Sequence, residues 1–181
     1  MILDATAGNR AMWQKKQAEP IIYIDIEKRL QRKPTIFADN TNTPFLSKSF
    51  STIFYDPPHS WRSYTSRHSY PSKALLRSKY PSKKSTPQYY GWDKYDSRQA
   101  IIKHIHLAQV EFQRILKDDG LLWFKWSEVE LTLRRVLVLF DDWIKLMILY
   151  ISDPTQTAGN VQTYWVCLCK KNIGGEQTRL N

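Results

Sequence analysis

The sequence predicts an α/β fold in which helices cover both faces of a doubly wound, mostly parallel sheet of seven strands. Short apolar runs of strand length alternate with stretches whose apolar residues recur at helical spacing, which is typical of this class. The apolar runs are bounded by glycine, proline or small polar residues, and such residues favour turns. The length of 181 residues suits one domain with a sizeable core.

Seven runs are predicted as strands and two segments as helices. The strands are expected at residues 2–5, 21–26, 35–38, 52–55, 121–126, 145–151 and 163–170, and the last two are expected to form a hairpin. The clearest helix is predicted for residues 98–117, where apolar residues fall on one face. A second helix is expected at residues 129–140. Residues 1–171 are interpreted as one domain, followed by a flexible tail at residues 172–181.

Composition restricts the compartment and the partner. The net charge of +10 favours a polyanionic partner such as nucleic acid. No apolar run approaches the roughly 20 residues of a membrane-spanning helix, and the first predicted strand, beginning at Ile2, leaves no signal peptide before it. We therefore expect a cytoplasmic protein without a membrane partner. Cys167 and Cys169 share one strand face and are interpreted as packing residues, not as a disulfide or a metal site.

The loop after the first strand is a candidate ligand-binding loop, because ligands bind at the carboxyl ends of strands in doubly wound sheets. Asp4 lies near the end of the strand, and the loop that follows contains Thr6, Ala7, Gly8 and Asn9. Such small residues let a ligand approach the backbone closely. With one glycine, the loop lacks the Gly-x-Gly-x-x-Gly pattern of dinucleotide-binding proteins. An ordinary strand-to-helix turn is the alternative.

Acidic and amide side chains are expected at the same edge of the sheet after the next two strands. Asp25 lies 17 residues after Gly8, close to the separation at which an acid accepts hydrogen bonds from ribose hydroxyls. Asp39 and Asn40 follow the third strand and could bond to the edge of an adenine. Such residues are also common in turns, so a structural role is the alternative.

The tetrapeptide Asp56-Pro57-Pro58-His59 after the fourth strand gives the sharpest functional prediction. The prolines have no backbone N–H, so carbonyls and the Asp56 carboxylate are expected to form a rigid cluster of acceptors without a competing donor. Such a cluster can hold both hydrogens of an amino group, so that the nitrogen lone pair can attack a methyl group in line. The alternative is a turn that only ends the strand.

Together, these motifs resemble class I methyltransferases that depend on S-adenosylmethionine. The stretch from Asp4 to Gly8, then Asp25, then Ala38-Asp39 and the tetrapeptide match motifs I to IV in order. The tetrapeptide is similar to the signature of amino-methyltransferases that act on adenine N6 or cytosine N4. With Phe124-Lys125-Trp126-Ser127-Glu128, the motifs resemble small phage- and prophage-type enzymes of this group. The resemblance covers about residues 1–171, apart from much of residues 60–88.

The resemblance implies a Rossmann-like methyltransferase sheet, S-adenosylmethionine as the cofactor, and direct in-line transfer to an exocyclic amino group. Ala7, Gly8 and Asn9 would contact the methionine part of the cofactor, Asp25 the ribose, and Asp39 with Asn40 the adenine. The implied cofactor-binding residues are Asp4, Thr6, Ala7, Gly8, Asn9, Asp25, Asp39 and Asn40. The implied catalytic residues, which would receive the target base, are Asp56, Pro57, Pro58 and His59.

Residues 60–95 form a candidate nucleic-acid-binding lid inserted after the fourth strand. They contain eight basic residues and one acidic residue, so they supply +7 of the net charge. Basic residues suit phosphates, and the tyrosines and tryptophans among them can stack on unpaired bases. The predicted substrate-binding residues are Trp61, Arg67, Lys73, Lys83, Lys84 and, in the fifth strand, Lys125. The alternative for the lid is a solvated loop. The alternatives for Lys125 are a side chain that orients Asp56 and a side chain directed to solvent.

The predicted function is methylation of an exocyclic amino group of adenine or cytosine in DNA or RNA. Two alternatives stay open: a methyltransferase acting on a protein amide or a small molecule, and a non-catalytic Rossmann-like protein that binds nucleic acid. Methylation at cytosine C5 is disfavoured, because neither cysteine lies near the fourth strand. A domain of this size leaves little room for target recognition, so a second subunit in a homodimer is one expected source of specificity.

Overall fold

The computed structural model describes residues 1–59, 95, 97–151 and 162–171. The strands are β1 (Ile2–Asp4), β2 (Ile21–Asp25), β3 (Ile36–Phe37), β4 (Phe50–Tyr55), β5 (Leu116–Ser127), β6 (Trp143–Ile151) and β7 (Thr163–Lys170). They form one seven-stranded sheet in the order β3-β2-β1-β4-β5-β7-β6. The predicted number of strands in the sheet is therefore confirmed.

The sheet is parallel in its first five strands and antiparallel in its last two. β1 pairs with β2 and β4, β2 pairs with β3, and β4 pairs with β5, all in parallel. β7 lies between β5 and β6 and runs antiparallel to both. The mostly parallel sheet and its final hairpin are confirmed. Because the strand order reverses at β1 and β4, the carboxyl ends of these two strands meet at the topological switch point.

The described residues contain two α-helices. Helix α1 (Arg98–Ile115) is capped by the Ser97 side chain, which accepts a hydrogen bond from the Ala100 amide at 3.2 Å. Helix α2 (Leu133–Leu137) continues into a 3-10 turn at Val138–Phe140. Neither helix of this part of the chain is long and apolar enough to cross a membrane.

Both helical segments pack on the same face of the sheet. The ring of Phe112 in α1 lies 4.9 Å from that of Tyr55, and Phe140 of the 3-10 turn lies 4.8 Å from Phe124. Tyr55 and Phe124 are neighbours across β4 and β5, so they point to one face. The hydrophobic core lies between this face and the helices. Its fully buried members include Leu3, Ile53, Leu122, Ile105 and Ile115.

The prediction of helices on both faces does not hold for the residues that the structure describes. The connections from β1 to β2 and from β2 to β3 consist of turns and bends. After Trp13 the first connection continues with polar and charged residues, so it has no apolar stripe that a helix could bury. Helix α2 is shorter than the predicted 129–140. The Glu128 carboxylate accepts a hydrogen bond from the Leu133 amide at 2.6 Å, which fixes the start of the helix there.

The opposite face of the sheet is aromatic. Phe54 stacks on Trp123 with ring centroids 6.5 Å apart, and Trp165 meets it edge-on at 5.9 Å. Trp13 from the turns after β1 also meets Phe54 edge-on, at 5.0 Å. These turns therefore cover part of the face that a helix was expected to cover.

Strand β5 begins earlier than predicted, at Leu116. Leu116 pairs with Phe50, but Leu121 pairs with Thr52, so the ladder shifts its register between these pairs. Gly120 lies in the shifted stretch, where an added Cβ would stand 2.7 Å from the Leu116 side chain. The polar residues before it were expected to end α1. The helix ends instead at Ile115, and the polar stretch is the irregular start of the strand.

Candidate functional site

The loops after β1 and β4 are joined at the carboxyl ends of these strands. The Asp56 amide donates a hydrogen bond to the Thr6 hydroxyl at 2.7 Å. Just before it, the Ala5 amide donates to the Phe54 carbonyl at 2.9 Å. The first-loop motif and the tetrapeptide thus lie side by side. We call this edge, formed by the residues that follow β1, β2, β3 and β4, the rim.

Asp4 is a fully buried carboxyl group at the end of β1. Its Oδ1 accepts a hydrogen bond from the Thr6 amide at 3.2 Å, and its Oδ2 accepts one from the Trp13 indole at 2.7 Å. Burial raises the pKa of Asp4 to about 7, because the two neutral donors offset only part of the desolvation. Asp4 therefore shapes the first loop from within the protein.

Gly8 connects the first loop to the end of β2. Its amide donates a hydrogen bond to Asp25 Oδ2 at 2.8 Å, and Asp25 Oδ1 accepts a second one from the Glu27 amide at 2.8 Å. Burial raises the pKa of Asp25, although these amides act in the opposite direction. Gly8 has a φ of +49°, and no atom lies within 4 Å of the place where its Cβ would be. The glycine thus serves a left-handed turn and leaves open space beside the loop.

The neighbours of Gly8 differ in exposure. Ala7 is buried, and its amide donates to the Ile24 carbonyl at 3.0 Å, which ties the loop to β2. Asn9 is exposed, and its side-chain oxygen accepts a hydrogen bond from the Arg32 amide at 3.2 Å. The outer side of the loop is therefore polar and open to solvent.

Asn40 lies beside the first loop and has one unused acceptor. Its amide nitrogen donates to the Ala5 carbonyl at 3.0 Å. Asn40 is only 8% exposed, and within the described residues its Oδ1 has no hydrogen-bond partner. Asp39 is exposed, and its Oδ1 accepts bonds from the amide and the hydroxyl of Thr41 at 2.9 and 2.8 Å. A buried oxygen without a partner is costly, which points to a donor that a ligand or water supplies.

Two donors contact the Asp56 carboxylate. Lys125 Nζ lies 2.8 Å from Oδ2, and His59 Nε2 lies 3.0 Å from Oδ1. The expectation of an acceptor cluster without a competing donor is therefore wrong. The register of β4 and β5 brings Lys125 level with Asp56, and the turn through the two prolines returns His59 to the same carboxylate.

These donors determine the ionisation of Asp56. Burial acts to raise the pKa of this carboxyl, but His59 and Lys125 outweigh it, so the pKa is lowered. The Ser127 amide points at His59 Nδ1 at 3.5 Å, which leaves Nε2 to donate to Asp56. The site therefore presents an anion at neutral pH, and each of its oxygens retains a lone pair for a further donor.

The other residues of the tetrapeptide differ in exposure and contacts. Pro57 is buried, whereas Pro58 and His59 are partly exposed. The His59 ring meets the edge of Trp126 with centroids 5.0 Å apart. Contact with both Asp56 and Trp126 fixes the imidazole in place.

Most of the predicted lid lies outside the described residues. This applies to the predicted substrate-binding residues Trp61, Arg67, Lys73, Lys83 and Lys84. The end of the lid is described at Tyr95, whose hydroxyl lies 3.0 Å from His104 Nδ1 of α1. Burial raises the pKa of Tyr95 to about 12, and the charges of Asp39 and Asp25 act in the same direction. The end of the lid is therefore within electrostatic range of the rim.

Sequence reasoning missed two residues that support the first loop. Trp13 binds Asp4, as described above. Arg10 is 7% exposed, donates to the carbonyls of Lys16 and Lys33 at 2.7 Å each, and lies 4.0 Å from the centre of the Tyr23 ring. No periodic pattern marks either residue, because both lie in turns and their partners are identified only once the strands are assembled.

The rim is rich in acceptors although the chain as a whole is basic. Its acceptor side chains are Asp25, Asp39, Asn40 and Asp56, whereas both oxygens of the buried Asp4 accept hydrogen bonds within the protein. Such a set suits a ligand that has positive charge and several hydrogen-bond donors. Within the described residues, no group of three or more His, Cys, Asp or Glu side chains is arranged to hold a metal ion.

The chain is similar in fold to solved structures. PH0226 protein from Pyrococcus horikoshii OT3 has a TM-score of 0.55 at 12% identity, over 94% of this chain and 81% of that chain. A protein from Sulfolobus solfataricus, provisionally named a type 11 methyltransferase, has a TM-score of 0.49 at 14% identity, over 100% and 89%. A SAM-dependent methyltransferase from Leishmania major has a TM-score of 0.49 at 11% identity, over 92% and 63%. No protein-family model and no curated protein sequence matches the chain. At 12% identity, the similarity to PH0226 concerns the fold.

Proposed function

We propose that this chain is an S-adenosylmethionine-dependent methyltransferase that acts on an exocyclic amino group of a nucleic-acid base, adenine N6 or cytosine N4. One observation supports this above all others: the 2.7 Å hydrogen bond from the Asp56 amide to the Thr6 hydroxyl. It joins the candidate cofactor loop to the candidate catalytic tetrapeptide. A methyl group held by one loop would therefore lie within reach of an amine held by the other.

The rim fits this cofactor. S-adenosylmethionine has a sulfonium and an ammonium group, two ribose hydroxyls and an adenine amino group, so it has positive charge and several donors. Asp25 can accept from the ribose, because each of its oxygens retains a lone pair beside its amide donor. Asp39 and the unpaired oxygen of Asn40 can accept from the adenine. Ala7, Gly8 and Asn9 would border the methionine part, where the loop is open.

The tetrapeptide suits an amino substrate. When the cofactor is bound, its sulfonium supplies a methyl group that is activated for attack by a nucleophile. Asp56 is held in one orientation by His59 and Lys125, and its low pKa keeps it ionised at neutral pH. Its oxygens can accept the hydrogens of the target amine while Pro57 contributes no competing N–H. The amine is thereby oriented with its lone pair toward the methyl group, which is catalysis by positioning and electrostatics.

Charge supports nucleic acid as the substrate class. The lid follows His59 directly in the sequence and carries +7 of the net charge of +10. Long-range attraction to phosphates would bring a polyanion to this side of the molecule. A base inside a duplex must be flipped out before its amino group can reach the tetrapeptide, and the aromatic residues of the lid are suited to stack on unpaired bases.

Methyl transfer from tritiated S-adenosylmethionine to DNA, RNA and protein pools tests the proposal. We expect label in nucleic acid, recovered as N6-methyladenine or N4-methylcytosine by nucleoside mass spectrometry. Asp56→Ala should lower kcat by roughly 100-fold or more, because it removes the acceptor of the amine hydrogens. The matched control is Asp119→Ala, which removes an exposed carboxylate of β5 away from the rim.

Three outcomes would contradict the proposal at different points. Label in protein alone would make the substrate class wrong. The absence of calorimetric binding at millimolar S-adenosylmethionine would make the cofactor wrong and would favour a non-catalytic nucleic-acid-binding protein. Equal activity of Asp56→Ala and Asp119→Ala would remove Asp56 from the mechanism.

A further inference from the structure

Strand β6 forms one edge of the sheet and is unusually apolar. After Lys145 it consists of six apolar residues in succession, Leu146–Ile151. The exposed apolar side chains of β6 are between 37% and 59% exposed: Ile144, Leu146, Met147, Ile148, Leu149, Tyr150 and Ile151. Apolar side chains therefore face outward on both sides of the strand.

The outer edge of β6 is suited to pairing with another strand. Within the described residues β6 pairs only with β7, and no described segment pairs with its other side. Edge strands are commonly protected from pairing by lysines, prolines or inward-pointing charges. β6 has one charged residue, Lys145, and it lies near the beginning of the strand. Apart from Lys145, β6 thus lacks the features that usually protect an edge strand from pairing.

We propose that β6 is the interface of a homodimer, in which the β6 strands of two copies pair antiparallel about a two-fold axis between Ile148 and Leu149. In this register Leu146–Ile151 pairs with itself, so every contact in the segment is apolar against apolar. The two Lys145 side chains lie at opposite ends of the paired segment. Parallel pairing in register would place them side by side, at a cost in repulsion.

The size of the surface fits such a dimer. The seven apolar side chains of β6, each 37–59% exposed, supply a large part of the roughly 800 Å² that each partner contributes to a stable interface. A groove of about 460 Å³ beside β6 extends the surface on the helix side. Its apolar lining includes Leu133, Leu137, Val138 and Ile148.

Pairing through the sheet edges of the described strands stops at two copies. The opposite edge of the sheet is β3, which has two residues, so it offers almost no ladder to a further strand. Pairing through β6 occupies the long sheet edge of each copy. The assembly is therefore closed and isologous. The two sheets would become one continuous sheet.

Sedimentation of the full chain over a range of micromolar concentrations tests the proposal. We expect a dimer for the natural sequence and a dissociation constant at least about 100-fold weaker for Ile148→Lys, because a lysine at the centre of the interface is both charged and solvated. The matched control is Leu46→Lys, which introduces the same charge at an exposed apolar residue between β3 and β4. It should remain dimeric, and thermal unfolding verifies that both variants fold.

Hydrogen exchange of the β6 amides locates the interface. The outward-pointing amides of Leu146–Ile151 should be protected in the dimer and exchange faster in Ile148→Lys. A dimer that survives Ile148→Lys unchanged overturns the proposal, since the interface is then elsewhere. A monomer at all concentrations also overturns it, whether the amides are protected by another segment of the chain or exchange freely. None of these outcomes depends on methyl transfer.

Discussion

The loops after β1 and β4 each place a carboxyl group at the rim, but with opposite effects on its ionisation. Asp4 is fully buried among neutral N–H donors, and its pKa is raised to about 7. The Asp56 side chain is 24% exposed, and its pKa is lowered because Lys125 and His59 outweigh the effect of its partial burial. Charged partners can therefore outweigh burial in deciding whether a carboxyl group is ionised. Two neighbouring acids with pKa values moved apart can serve different tasks.

The largest expected effect concerns Asp4. We compare the free energies of unfolding of Asp4→Asn and the natural protein. As pH rises from 3.8 to about 7, the variant should become more stable relative to the natural protein. The folded protein holds the Asp4 proton more tightly than the unfolded chain does, so natural stability falls over this interval. At about 1.4 kcal/mol per pKa unit, the shift amounts to about 4 kcal/mol. Urea unfolding at a series of pH values measures it.

Asp119→Asn is the control for this titration, because Asp119 is exposed. Asn at position 4 also exchanges one acceptor for a donor beside Trp13, which lowers stability by an amount that does not vary with pH. A difference between Asp4→Asn and the natural protein that stays constant from acid to neutral pH would show that Asp4 does not carry a raised pKa.

The next effect concerns the partner of Asp56. Lys125→Met removes a cation 2.8 Å from the carboxylate, so the pKa of Asp56 should rise. We expect the acid limb of the pH profile of kcat to move to higher pH and the rate at neutral pH to fall about tenfold, or roughly 1.4 kcal/mol in barrier height. Lys103→Met, at an exposed position of α1, is the matched control. Loss of activity without movement of the acid limb would indicate that Lys125 acts on the substrate and not through Asp56.

The smallest effect concerns the bond between the two loops. Thr6→Val leaves the Asp56 amide without its acceptor, which should lower the free energy of unfolding by about 1 kcal/mol. Thr6→Ser keeps a hydroxyl at the same place and should stay close to the natural protein. Chemical denaturation of the three proteins under one condition makes the comparison. An equal loss of stability in both variants would show that the effect comes from altered packing and not from the hydrogen bond.

The strand pattern could be predicted from the sequence, whereas the ends of the strands and helices and the face that the helices cover could not. Seven apolar runs gave the seven strands, because burial on both faces produces continuous runs that turns interrupt. The polar start of β5 was missed, since residues 117–119 are exposed and their extension depends on pairing with β4. Helix α2 is short because it begins at Leu133, whose amide donates to Glu128, and because its last turn has 3-10 geometry. Helices on the second face were expected by analogy with other doubly wound sheets.

In the candidate site, too, some features could be predicted from the sequence and others could not. The loops after the first two strands were expected at one edge, and the hydrogen bond from the Gly8 amide to Asp25 joins them there. The contact between Asp25 and a ribose stays a prediction. The partners of Asp56 were less accessible to sequence reasoning. The sequence allows three roles for Lys125: a substrate contact, an orienting contact with Asp56 or a solvent-directed side chain. Only the pairing of β4 with β5 brings it to the carboxylate.

The register shift at Gly120 has a consequence at the far end of β5. Tyr55 stands opposite Phe124, and this pairing sets Lys125 level with Asp56. Had β5 kept the phase in which Leu116 faces Phe50, Asp56 would stand level with Leu122 instead. The neighbour of Asp56 would then be uncharged. No ammonium group on that side would counteract the effect of burial on the pKa of Asp56. The register shift near the start of β5 thus determines that a lysine, and not a leucine, lies beside Asp56 near the end of the strand.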